Sequence, residues 1–451
     1  MSVPWTSGGA GIWCDLYELT MAAGYLEHGL TGEATFSVYV RNLPEDRGYL
    51  VAAGVDDAID AVCDVGFTAG DRDTLRELGF GSEAVERLAG LRFTGDVWAV
   101  PEGRVVTAGE PILEVTAPIA EAQLAETLVL NQLTYQTTIA TKLARCRLAA
   151  RGRIQLVDFA FRRAHGVEAA LAVARLSGLV GLAGTSNVPA ALRHGLPAVG
   201  TMAHSFIEAF PSEQEAFRAF ATSFPDRATF LVDTYDTLTG VDHAIEVIQE
   251  RGLTRDVAVR LDSGDVAALA HGARARLDAA GLGHVRILAS GGLDEHAIAG
   301  LVAAGAPVDA VGVGTTVGVA ADAPFLDTVY KLVRYDGRPV RKLSAGKATI
   351  PGAKQVWRTP GEAEDLVTER DEVVEGAEPL LAPVVVGGRR AAPRPTLDEG
   401  RRHLDADLAA LPARARDLRT PTPLTARFSP TLLALADEAD EFVRRAGSPP
   451  T

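Results

Sequence analysis

The chain has 451 residues, enough for two or three domains and a sizeable buried core. Its 47% hydrophobic and 23% charged residues are the balance of a globular protein and exclude a disordered one. A net charge of −15 argues against nucleic acid or an anionic membrane surface as partner, so an anionic small molecule has to be held by local basic groups and backbone amides.

Cys14, Cys63 and Cys146 stand far apart, which fits neither a disulfide framework nor a zinc motif and suits a reducing compartment. The opening MSVPWTSGGAGIW has neither a basic flank nor an apolar stretch, so no secretory leader is expected. The most apolar window, VEAALAVARLSGLVGLAG, is interrupted by Glu168 and Arg175 and reads as a helix and a buried strand, not as a membrane span. A cytoplasmic protein is the expectation.

In chain order, residues 15–28 space Leu16, Leu19, Ala23 and Leu26 as a helix stopped by Gly29. ATFSVYVRN alternates as a strand, VDDAIDAVCDVG reads as a short helix, and VWAVPEG and VVTAGEPILEVTAP are short β runs cut by Pro and Gly. Residues 1–130 are thus an α+β, sandwich-like domain, followed by one long helix ending at Gly152.

From Ile154 the rhythm changes. IQLVDFAF, LVGLAG, AVGTMA, TFLVDT, DVAVRLD, VRILAS and DAVGVG read as buried strands. VEAALAVARLSG, PAALRHG, HAIEVIQERG, VAALAHGARARLDAAG and EHAIAGLVAAG read as the helices among them. Such alternation implies parallel strands with crossover helices. The fold class is α/β: an irregular parallel (β/α) barrel of about seven strands over residues 131–324. VYKLVRY-DG-RPVRKL then reads as a tight hairpin, so that residues 325–384 supply antiparallel strands returning to the N-terminal domain. Residues 385–451 are a Pro- and Arg-rich tail with the amphipathic helix PTLLALADEADEFVRR.

The strand ends carry the polar residues: Asp158, Arg162, Thr185, His204, Asp233, Arg260, Asp262, Ser290 and Thr315. Barrels and open α/β sheets both bind ligands there. In ILASGGLDEHAIAG and DAVGVGTT, glycines at two successive tips let backbone amides approach an anion, although tight turns alone also require them. In VAVRLDSGD, alternation puts Arg260 and Asp262 on one face, as an internal ion pair or as a guanidinium fork for a carboxylate; Asp262 and Asp265 suit ribose hydroxyls or Mg2+. VDFAFRRAHG sets Phe159 and Phe161 beside Arg162, as core or as a stacking face with a phosphate ligand nearby. GTSN, with Ser186, is a polar tip of small donors or a helix cap supplied by Ser186 or Asn187. His204, in TMAHSFIEAF, closes a strand or carries chemistry, and strict alternation sets it and Thr201 on opposite faces unless the strand bends or ends between them.

DLYELTMAAGY, RNLPEDRGYLVAAG, VDFAFRRAHG, GTSN, TMAHS, VRLDSGD, ASGGLDE and GVGT occur here in the order found in nicotinate phosphoribosyltransferases, and the resemblance spans residues 13–360. It implies a type II phosphoribosyltransferase that joins nicotinate to phosphoribosyl pyrophosphate in NAD biosynthesis, with ATP as co-substrate. It implies that His204 is phosphorylated. Carried over residue by residue, Tyr17 and Phe159 sandwich the pyridine ring, Arg260 faces its carboxylate, and Thr201 and Ser186 lie beside it. Arg162, Asp262, Asp265, Ser290, Gly291, Gly292, Gly314 and Thr315 hold the phosphoribosyl group and its phosphate. Mg2+ is expected with pyrophosphate or ATP, without a protein-only site. The family implies a homodimer whose Tyr17 reaches the neighbouring subunit's site.

The resemblance leaves rivals. Nicotinamide-using relatives carry Asp where Ser186 stands, and a carboxylate there repels the acid, which favours nicotinate. Quinolinate-using relatives lack the ATP-linked histidine of TMAHS. A catalytically silent NAD-pathway binding protein has no need of intact His204, Arg260 and Asp262.

Overall fold

The computed structural model describes residues 9–343 and 349–446; most of the opening segment read for a leader lies outside them. The described chain forms two compact units, one from the residues up to Thr138 together with those from Phe325 onward, the other Ile139–Pro324. Among the described residues, no helix is long and apolar enough to cross a membrane.

In the first unit, a seven-stranded antiparallel sheet takes residues from distant parts of the sequence: Arg338–Pro339, Thr328–Tyr335, Glu33–Val40, Leu113–Pro118, Asp96–Ala99, Ala382–Val386 and Arg389–Arg390, in spatial order. Glu33–Val40 alternates too little to show one wet face because nearly all of it is buried. Phe36 stacks on Tyr330 of the paired strand, centroids 4.6 Å apart. The predicted hairpin is present: Asp336 and Gly337 both adopt positive φ, 48° and 76°, as a two-residue turn with the twist of its flanking strands requires.

The segment read as a tail is built into this unit. Ala382–Val386, at the end of the segment expected to return to the N-terminal domain, pairs antiparallel with Asp96–Ala99; within the segment read as a tail, Thr425–Phe428 lies parallel to Glu364–Glu369 in a four-stranded sheet. An unforeseen helix, Leu397–Ala410, begins with a capping box of Thr396 and Glu399. Asp407 on that helix accepts from Arg104 at 2.9 Å and Arg358 at 3.1 Å. The arginines that gave the region its tail-like composition are thus partly internal: Arg390 is bonded to Asp56 and Asp60.

The second unit holds a parallel sheet of five strands in the order Gln155–Asp158, Ala310–Val313, Arg286–Ala289, Ala258–Leu261 and Thr229–Leu231. Beyond Asp158 the parallel pairing continues only as single bridges, Asp158 to Thr185 and Thr185 to Ala198. LVGLAG, expected as a full strand, has only Thr185 just after it bridged, and AVGTMA pairs only through Ala198. Leu179 and Val180 form the last buried turn of the helix Val167–Val180, which ends where Gly181 takes the left-handed conformation. A buried helix end and a buried strand are both unbroken apolar runs, so periodicity does not separate them. The long helix expected from Glu121 is divided into Ile119–Gln123 and Glu126–Ala150.

Candidate active site

Phe159, Arg162, Ser186, Thr201, His204, Arg260 and Asp262, seven residues singled out from the sequence, line one cavity of about 610 Å³, with Phe161, Met202 and Leu231 among its other walls. Every one of them follows or ends a parallel segment of the second unit. The strand Gln155–Asp158 turns at Asp158, which is buried. Its carboxylate accepts from the Ala160 amide at 2.8 Å and from the Thr185 hydroxyl at 2.6 Å, while its carbonyl takes the Ser186 amide at 2.8 Å. One side chain thereby fixes the backbone on both sides of the cavity, that of Phe159 and that of Ser186. Burial pushes the Asp158 carboxyl above its ordinary range, and those two hydrogen bonds oppose the push. The Phe159 ring lies over Gly312, where an added Cβ would stand 2.4 Å from a ring carbon.

Arg260 is the hub. Its guanidinium donates to the Ser290 hydroxyl at 2.8 Å, to the Thr201 hydroxyl at 3.0 Å, to the Met202 carbonyl at 3.3 Å and to Asp262 at 2.7 Å. The guanidinium carbon also lies 5.7 Å from the centre of the Phe159 ring. The two readings of VRLDSGD are therefore not exclusive: Arg260 is paired with Asp262 and also faces the cavity. Half-burial alone would raise the Asp262 carboxyl, but the Ser290 hydroxyl and the Arg260 charge outweigh it and hold the group below its ordinary range.

Between Thr201 and His204 no strand persists. Ala203 is the extended N-cap of the short helix His204–Glu208, so the chain turns and both residues line the cavity. His204 Nδ1 lies 3.1 Å from the Thr234 hydroxyl, and Nε2 lies 4.0 Å from Asp262 Oδ2. Thr234 had no role in the sequence reading, and its neighbour Asp233 was noted only as a polar strand end. The latter accepts from the Asp262 amide at 3.1 Å and from the Ser263 hydroxyl at 2.6 Å, holding the turn after the strand. The signal available for both was their place at a strand end in TFLVDT.

The other expected residues lie apart from this lining. Ser290 is buried, with its amide donating to the Leu261 carbonyl at 2.8 Å and its hydroxyl bridging Arg260 and Asp262. In this arrangement its hydroxyl supports the ion pair. Asp265 is exposed and caps the helix Val266–Ala279 through the Ala268 amide at 3.1 Å. Gly291 and Gly292 form an exposed turn with φ of 96° and 71°, and Gly314 and Thr315 open the next tip. The two tips are joined by the Thr316 hydroxyl, which donates to the Leu293 carbonyl at 3.2 Å. Tyr17 belongs to the first unit, on the helix Leu16–Glu27; it is 46% exposed, and burial together with the Glu126 carboxylate pushes its hydroxyl above the ordinary range. Among the described residues, no cluster of three or more His, Cys, Asp or Glu side chains is arranged to hold a metal ion.

Two family profiles match the chain: the nicotinate phosphoribosyltransferase N-terminal domain over residues 12–134 and the nicotinate phosphoribosyltransferase family over residues 154–347. The chain belongs to the nicotinate phosphoribosyltransferase family. It is 50% identical over 413 residues to nicotinate phosphoribosyltransferase pncB2 of Mycobacterium tuberculosis, an alignment covering 90% of this chain and 89% of the relative. The human nicotinate phosphoribosyltransferase is 30% identical, with 94% and 95% covered. In structure, the chain is similar to the crystal structure of the human enzyme, with a TM-score of 0.83 at 28% identity and 94% and 99% coverage. It is also similar to the nicotinate-nucleotide pyrophosphorylase of Pyrococcus furiosus, with a TM-score of 0.74 at 26% identity and 89% and 95% coverage. Both structural alignments span more than the 13–360 window in which the family motifs are legible.

Proposed function

We propose that the chain transfers the phosphoribosyl group of phosphoribosyl pyrophosphate to nicotinate, giving nicotinate mononucleotide and pyrophosphate in NAD biosynthesis, with ATP hydrolysed alongside. The observation that carries this reading is the pairing of Arg260 with the Phe159 ring in a cavity whose facing tip presents Ser186 and no carboxylate. A flat heteroaromatic ring laid on Phe159 has the Arg260 charge beside it for its carboxylate, and an amide in that place gains no charge pairing. In the transfer, the pyridine nitrogen lone pair forms the bond to the ribose anomeric carbon, and pyrophosphate leaves with the electrons of the breaking bond. The chain's task is to bind, orient and shield. Asp262 Oδ1 is taken by Arg260 and Ser290, which leaves Oδ2 for a ribose hydroxyl. Gly291, Gly292, Gly314 and Thr315 offer backbone amides to the 5-phosphate. Arg162, exposed at the cavity edge, adds a cation for phosphate.

Mg2+ carried by pyrophosphate or ATP would neutralise phosphate charge in the same cavity. Asp233 is suited to meet it, since its Oδ1 is buried without a hydrogen-bond partner in the chain. For His204, the bond from Nδ1 to Thr234 orients the ring and leaves Nε2 toward the cavity as the phosphoryl acceptor. We also read the seven parallel segments as an irregular barrel. Its ends approach through a side-chain contact instead of a ladder, His204 to Thr234. The active assembly in this reading is a homodimer in which each Tyr17 completes the partner's ring-stacking face.

Incubation with ATP and Mg2+ tests the histidine assignment. An acid-labile, base-stable phosphate is expected on the wild-type chain and absent from His204→Ala; labelling of that variant to the wild-type extent would refute the assignment.

A further inference from the structure

Behind the two glycine-rich tips lies a buried charge cluster that the reaction itself does not call on. Lys142 and Arg145 stand one turn apart on the helix Glu126–Ala150, and both are buried. The Lys142 ammonium lies 2.5 Å from Glu295 and 2.8 Å from Asp322, and Arg145 Nε lies 2.8 Å from the other Glu295 oxygen. Glu295, fully buried, is the first residue of the helix Glu295–Ala303, directly after the Gly291–Gly292 turn and its Asp294 cap. Asp322 follows the Thr315–Gly318 helical turn at the second tip. One ammonium therefore ties together the elements that leave both tips.

The chemistry of the cluster argues against stability as its purpose. Burying an ion carries a large desolvation cost before any pairing is regained, and apolar side chains of similar volume generally serve a core as well or better. A buried pair is best explained where it fixes one arrangement among several. Here two short turns, each held by few backbone bonds, have to keep a constant separation if their amides are to close on a single phosphate. A second effect points the same way. The carboxylates of Asp294 and Glu295 stand just behind an anion-binding turn and would repel its ligand, and Lys142 and Arg145 offset them. Burial alone would lift the Glu295 carboxyl, but the two cations hold it below its ordinary range, so it is ionised.

We propose that Lys142 is a positioning residue for the 5-phosphate site: by bridging Glu295 and Asp322 it sets the spacing of the Gly291–Gly292 and Gly314–Thr315 tips. The proposal rests on the reading of those tips as the phosphate site.

Steady-state kinetics on Lys142→Met, Asp322→Asn and Gly292→Asp test both layers. Gly292→Asp places a carboxylate in the turn itself and reports on the phosphate reading. Asp322→Asn removes one arm of the bridge at a partly exposed position, and it decides the matter if Lys142→Met does not fold. The expected result is a KM for phosphoribosyl pyrophosphate raised about tenfold in both bridge variants, the scale of a sub-ångström to ångström misplacement, with the KM for nicotinate within about twofold of wild type. If Gly292→Asp raises that KM while folded bridge variants leave it unchanged, the clamp is refuted and the phosphate site stands. If Gly292→Asp leaves it unchanged as well, the phosphate reading falls and the clamp with it. Equal rises in both KM values would mark Lys142 as a general structural residue and overturn the positioning role.

Discussion

Four hydrogen bonds leave the Arg260 guanidinium, and each ends on a group that shapes the cavity: Ser290, Thr201, the Met202 carbonyl and Asp262. Removing the side chain therefore does two things at once. It deletes the cation expected to face the nicotinate carboxylate, and it leaves the half-buried Asp262 without its main charge partner. Arg260→Ala is expected to cost about 3 kcal/mol or more in kcat/KM for nicotinate, the scale of breaking one partner out of a buried charge pair, and to affect any nicotinamide use much less. Competition kinetics with the two pyridines check this, and equal losses would show Arg260 to be purely structural. The sign of the accompanying pH effect follows from the same contacts. In the wild type Asp262 is held below its ordinary range, so the carboxylate and its contribution to stability persist at neutral pH and are lost only as pH falls through that lowered value. Without Arg260 the effect of burial is less opposed, and the acid limb of the activity profile should move to higher pH. At this scale much was legible: VRLDSGD put Arg260 and Asp262 on one face by alternation alone. Ser290 was not legible, because nothing in ILASGG says whether its hydroxyl turns toward a ligand or inward onto the ion pair.

The elements that form the cavity are short, and that is why their ends were harder to read than their existence. Gln155–Asp158, Ala258–Leu261, Arg286–Ala289 and Ala310–Val313 are four-residue strands, each buried over most of its length, and each was visible as an apolar run with a polar or glycine tip. The segments at Thr185 and Ala198 pair through one residue apiece, so their apolar neighbours suggested strands that the backbone does not form. Asp233 and Thr234 follow a three-residue strand, too short for alternation to assign a side. Glycine carries a different kind of information in these strands. Gly312 has no unusual φ; it is required because the Phe159 ring occupies the space a Cβ would take, at 2.4 Å. Gly312→Ala should therefore displace that ring with little loss of fold, at an overpacking cost of about 1–3 kcal/mol. The expected readout is a KM for nicotinate raised about tenfold with thermal unfolding lowered by only a few degrees. An unchanged KM in a folded variant would remove Phe159 from the pyridine site.

At the scale of the whole molecule, the C-terminal quarter was the least legible part. Its Arg and Pro content resembles a tail, yet Thr425–Phe428 is a paired strand and Asp407 anchors two arginines; these are long-range pairings that no local pattern announces. The proposed dimer belongs to this scale too. Trp13, Leu16, Tyr17 and Met21 are all well exposed on or beside one helix, an apolar face consistent with covering by a second copy. If each Tyr17 serves the partner's cavity, mixing inactive Tyr17→Ala and His204→Ala chains should restore activity, because a heterodimer then holds one site with both residues intact. No recovery, with subunit exchange confirmed independently, would mean that each site is built from one chain. The central claim is the reaction itself, and one product assay tests it most directly. The purified chain is supplied with phosphoribosyl pyrophosphate, Mg2+ and ATP, and with nicotinate or nicotinamide in parallel. Nicotinate mononucleotide should form, accompanied by ADP, and the nicotinamide reaction should be slower by orders of magnitude. Absence of product from nicotinate, or equal use of the two pyridines, would contradict the account.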